Sequence, residues 1–221
     1  MKATINHLIL LSVGFTFSLI LSRVFYSGSL TYLFFVWNLF LAGIPLLISR
    51  LLIQSRKRNF QIIFFIAWLL FFPNALYIMT DLIHLKERGN VPLWFDAILI
   101  FSAAINGLIM AHISLQTVES FLQSKFNIQK SNLILFGCLL FGSFGVYIGR
   151  FLRWNSWDIL ANPFALTYQV GEHIFNPVEH PRTLGMTIIL TLFFSIFYLT
   201  LKKLPGILLP GVIEYDENKV V

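Results

Sequence analysis

Apolar residues fall along this chain in long blocks rather than in alternation. Six blocks are long enough to cross a bilayer as a helix, which takes about 20 mostly apolar residues. They run from about Leu8 to Phe25, Leu30 to Ile53, Phe60 to Met79, Trp94 to Phe121, Leu133 to Leu152 and Leu184 to Leu201. The roughly ten-residue alternation of a membrane β-barrel is missing, and so is a clear internal repeat of the transporter kind. The pattern predicts an all-α bundle of about six transmembrane helices. Residues 1–204 would form one polytopic domain and 205–221 a short cytoplasmic tail. Residues 159–183 are too polar and too broken by proline to span. Within them Asn162-Pro163 is an N-cap followed by proline at the first helical position. It predicts a short surface helix from Pro163 to about Phe175.

Polar residues inside the blocks must find partners, because lipid offers none. Gly14, Ser18 and Ser22 form a stripe of small residues that predicts a packing face for a neighbouring helix. Asn38 is expected to bond Asn106 of the fourth span. Pro45 and Pro73 should disturb their helices, Pro73 by ending the third near the interface. Thr80-Asp81 reads as the cap of a short following helix. Gly142, Gly145 and Gly149 repeat at about one helical turn and predict a flat face for close packing.

Composition agrees with lipid as the solvent. The 221 residues are 57% hydrophobic and 12% charged, against about 25% charged in a soluble domain. Mean hydropathy is +0.77. The net charge of +6 reflects basic residues flanking the spans, not nucleic-acid binding. With the Arg56-Lys57-Arg58 loop in the cytoplasm, ten Lys and Arg fall inside and six outside. This bias is in the direction expected for a cell membrane protein with both termini cytoplasmic. One cysteine, Cys138, excludes an intrachain disulfide.

Candidate chemistry gathers at the outer ends of the spans. Asp81 and His84, three residues apart, suit a base and its orienter. Asp96, at the start of the fourth span, would orient them, although a helix N-terminus accounts for a carboxylate without any function. Arg150 and Arg153 suit a phosphate or carboxylate clamp, since guanidinium binds such groups in bidentate fashion. Asn74, Asn155 and Asp158 complete this ligand-binding set. The same groups also suit a structural lock of ion pairs. Glu172-His173 and Glu179-His180 match no established metal spacing, so neither a metal nor a cofactor is expected.

Several of these stretches together carry a resemblance. Trp37-Asn38, Ile44-Pro45, FPNALYIMTDLIHL from Phe72, Trp94-Phe95-Asp96 and GRFLRWNSWD from Gly149 resemble a bacterial membrane family known as domain of unknown function 1361. The resemblance covers the second span through the fifth and extends towards the sixth. It implies a bacterial integral membrane protein and transfers topology, with no catalytic residue. Three functions follow as expectations: a polar site for a small anion or lipid headgroup, a small-solute transporter component using Asn38, Asn106 and His112, or a non-catalytic assembly protein. Lipid is the expected partner, nucleic acid is not, and no protein partner is implied.

Overall fold

A computed structural model describes residues 2–87, 90–154 and 158–208, with side chains for 6–87, 90–154, 158 and 161–204. Its helices are α1 (Lys2–Ser27), α2 (Phe34–Gln54), α3 (Arg58–Tyr77), α4 (Leu93–Gln123), α5 (Ile128–Tyr147), α6 (Asp158–Ala161), α7 (Pro163–Phe175) and α8 (Pro181–Leu208). A 3-10 segment, Ile78–His84, extends α3, and a π-helical turn, Ile148–Leu152, extends α5. Six of these stretches are long and apolar enough to cross a membrane, at the places the hydrophobic blocks predict. The protein is a multi-pass all-α membrane bundle. α8 runs on to Leu208, past the expected start of the tail.

The core follows α4, the most enclosed span. Leu99, Ile100, Ala103, Ala104, Leu115 and Val118 are all buried along it. α3 crosses α4 closely at Gly107, where a Cβ would sit 2.8 Å from the Ala75 carbonyl oxygen. The α5 glycine face forms as expected, against α3. A Cβ on Gly145 would lie 2.5 Å from Pro73 Cγ, and one on Gly142 would lie 2.9 Å from the Phe72 ring. Small residues here replace the solvent-driven association that lipid cannot supply.

Three local expectations are corrected. Pro73 sits inside α3, and the change to 3-10 geometry comes only at Ile78. Its ring instead fills the hollow at Gly145. Asp81 lies in the middle of the 3-10 segment rather than capping a helix, and the Thr80 hydroxyl donates to the Tyr77 carbonyl at 2.6 Å. The Gly14, Ser18 and Ser22 stripe faces outward. α1 instead buries Thr16, Ile20 and Arg23, because its polar groups find partners on α4. Asn162 is the N-cap of α7 and Pro163 opens it, as expected, though the cap makes no side-chain hydrogen bond.

Candidate functional site

The ends of α3 and α5, with the start of α2, meet at one end of the bundle. A 3-10 helix has three residues per turn, so positions three apart eclipse. That stacks His84 over Asp81, with Nε2 3.8 Å from Oδ1. Opposite them the π-helical turn delivers Arg150. Its guanidinium donates to Asp81 Oδ1, to Thr80 Oγ1 from Nε at 3.0 Å and Nη2 at 2.8 Å, and lies 3.2 Å from His84 Nε2. Asn38 Nδ2 donates to the other Asp81 oxygen at 2.9 Å. The Tyr77 ring lies beneath the guanidinium, 4.0 Å from Cζ. Asp81 is 1% exposed and Arg150 8%. Burial of both ions is sustained because each is paired and further bonded.

Asn38 therefore pairs with Asp81, not with Asn106. The Asn106 amide instead donates to Thr16 Oγ1 at 2.9 Å and to the Ser12 and Ser102 carbonyls. His112 packs on the Tyr198 ring. The three residues expected to trace a path through the bundle thus have three separate sets of neighbours.

Asp96 stands apart from Asp81 and His84. Both its oxygens are taken by Arg23, from Nε at 2.7 Å and Nη2 at 3.1 Å, so it does not orient His84. Both side chains are buried. Tyr32 joins the two arginine sites. Its ring lies 4.4 Å from Arg23 Cζ, and its hydroxyl donates to the His84 carbonyl at 3.1 Å. Arg23 was legible only as a basic residue near the end of a span.

Arg153 ends the π-helical turn with φ of 60°, and its side chain is exposed. Among the described residues it shares no partner with Arg150, whose guanidinium is committed to Thr80, Asp81 and His84. Asp158 opens α6 and is half-buried. Asn74 donates to the Phe71 carbonyl at 3.0 Å. Asn155 lies outside the described residues.

Beside the Arg150 network is a cavity of about 390 Å³ between α2, α3, α5 and α7. Asn38 and Tyr77 belong to both, so the network forms the back of one cavity wall. The lining changes with depth. Asn38, Asn74, Tyr77, Trp154 and Thr167 supply its polar groups, alongside the apolar Trp37, Ile148, Leu166 and Val170. Leu41, Leu70, Phe141 and Phe144 lie further along the same helices into the bundle. From Gly149 to Phe141 the helical rise spans about 12 Å. α7 covers the cavity with Leu166, Thr167, Val170 and Gly171. A separate crevice between α1 and α2 has only apolar and aromatic side chains for walls.

At the other end of the bundle Glu119 accepts from Tyr198 at 2.8 Å and Lys202 at 2.6 Å, tying α4 to α8. Among the described residues, no group of three or more His, Cys, Asp and Glu is arranged to hold a metal. No curated protein and no solved structure matches the chain. The model of a family described as a protein of unknown function, DUF1361, matches residues 37–198, which take in the Arg150 network and the whole cavity, and the chain belongs to that family.

Proposed function

We propose that the protein binds an amphiphilic, lipid-like ligand in the cavity between α2, α3, α5 and α7. The graded lining carries this reading. A molecule with a polar end at Asn38, Asn74 and Tyr77 and an apolar chain along Leu41, Leu70, Phe141 and Phe144 matches it group for group. The volume falls in the range of small-molecule sites, about 300–1,000 Å³. The Arg150 guanidinium is committed to Asp81, Thr80 and His84. It acts as a positioning residue that fixes Asn38 and Tyr77, not as an anion clamp. Asp81 has both oxygens engaged and serves the same scaffold. The basic Arg56-Lys57-Arg58 loop supports a bacterial cell membrane location with both termini cytoplasmic, which puts the cavity on the outer side.

Native mass spectrometry of the detergent-purified protein tests the reading, with a short-chain phosphatidylglycerol and inorganic phosphate as probes. A one-to-one adduct with the lipid is expected, together with its loss in Val170→Trp, which fills the cavity. Tyr77→Phe serves as a milder companion that weakens the adduct. Equal binding of phosphate alone, or an adduct unaffected by Val170→Trp in folded protein, would sink it.

A further inference from the structure

α7 covers the cavity and is held at few points, one of them a hydrogen bond from Trp154 Nε1 to Gln169 Oε1. Its one buried side chain among the described residues is His173. Phe164, Tyr168 and Phe175 are all more than 70% exposed. His173 stacks on His180, the residue just before α8, with ring centroids 3.8 Å apart and planes 26° apart. His173 Nδ1 is 2.7 Å from Thr183 Oγ1, and the Tyr147 ring of α5 lies 5.9 Å away. His180 Nε2 is buried, forms no hydrogen bond among the described residues, and lies 3.8 Å from Glu172 Oε1.

We infer that the His173–His180 stack is a pH-sensitive clasp that holds α7 over the cavity and releases it on acidification. The inference rests on the cavity being the ligand site, and it assigns that site's regulation. Two neutral imidazoles stack favourably, but two imidazolium rings at this distance repel. Glu172 can balance one of the two charges. Beyond Glu172, the titratable or charged groups around the pair are Tyr147 on α5 and the exposed Glu179 and Arg182 of the connector and α8. Among the described residues, no second carboxylate pairs with either ring.

The proton affinity of His173 is lowered by burial and by His180, with Glu172 opposing. A depressed histidine adds stability that is complete above its ordinary value of about 6.5 and fades as pH falls through the lower, folded value. The clasp is therefore closed at neutral pH and weakens in acid. Because His173 anchors α7 from inside, its loss leaves the helix to the Trp154–Gln169 bond, loosens it and leaves the spans in place.

Hydrogen–deuterium exchange of the full chain in lipid nanodiscs tests this, with rates corrected for intrinsic exchange. Between about pH 8 and about pH 5, the interval over which histidine changes charge, exchange across residues 163–175 should rise on the order of tenfold, as for a helix that opens locally while the fold persists. Exchange in α4 should stay constant. His180→Phe keeps a ring against His173 without its charge and should leave only the smaller response due to the burial of His173, as should His180→Gln. Wild-type exchange that ignores pH would overturn the clasp, as would a full response in both variants. The phosphatidylglycerol adduct at neutral pH separates the two ideas. If it is present while exchange ignores pH, the cavity reading stands without the clasp. If it is absent while α7 opens in acid, the clasp stands and the ligand assignment fails.

Discussion

Two arginines are buried against two aspartates at the same end of the bundle, one closed in by packing and the other behind a cavity wall. Arg23 and Asp96 join α1 to α4 through two parallel bonds. Arg150 and Asp81 join α5 to the 3-10 extension of α3, and share their bonding with Thr80, His84 and Asn38. The charges are alike and the burial is similar. What differs is the neighbourhood. The second pair holds Asn38 and Tyr77 against open space. A costly pair of ions in a membrane bundle is thus no guide to a site until its surroundings are known.

The sharpest way to break this comparison is to remove one partner. Arg23→Met leaves Asp96 buried and uncompensated, and should cost about 3–5 kcal/mol. Thermal unfolding in detergent should show a large drop or no folded protein. A near-normal transition would mean that water reaches Asp96 and that the pair is not closed in. Gly145→Ala should come next, at about 1–3 kcal/mol. Its new methyl meets the Pro73 ring, so α3 and α5 must separate and the cavity between them must change shape. Lipid binding and unfolding temperature should fall together.

Removing both partners sharpens the contrast. Arg23→Met with Asp96→Leu should leave stability within about 1 kcal/mol of the parent or above it, since apolar pairs often replace buried ions without loss. It should also leave the lipid adduct intact. Arg150→Met with Asp81→Leu should fold as well but lose the adduct, because Asn38 and Tyr77 lose their supports. Equal binding by both doubles would erase the distinction between the pairs. The smallest effect is expected at Arg153. Its left-handed backbone suits glycine, so Arg153→Gly should be neutral or stabilising by up to about 1 kcal/mol in unfolding. A lost adduct in that variant would restore the clamp to which the sequence pointed.

All six spans were legible because lipid demands long apolar runs and little else of a helix. The glycine face of α5 was legible because its spacing and its packing role coincide. Pairing was not. Asn38 needs a partner, but whether that partner is Asn106 or Asp81 depends on how the helices are arranged, and periodicity carries no such information. Asp96 had a sufficient local explanation at a helix start, which hid Arg23, 73 residues away in the chain. The α7 boundaries were readable from Asn162-Pro163. That its lone buried side chain is a histidine stacked on another was not, since stacking depends on how the connector folds back.

The π-helical turn at Ile148–Leu152 bears on how the chain length itself can vary. Such a turn holds one residue more than an α-helix needs over the same rise. Deleting Ile148 would return the turn to α geometry and carry Arg150 back by roughly 100° about the helix axis. The span would survive, and the segment after it would absorb the shift, but the guanidinium would point away from Asp81. In sequences descended from a common ancestor, a one-residue gap at this place would therefore mark loss of the network without loss of the membrane fold.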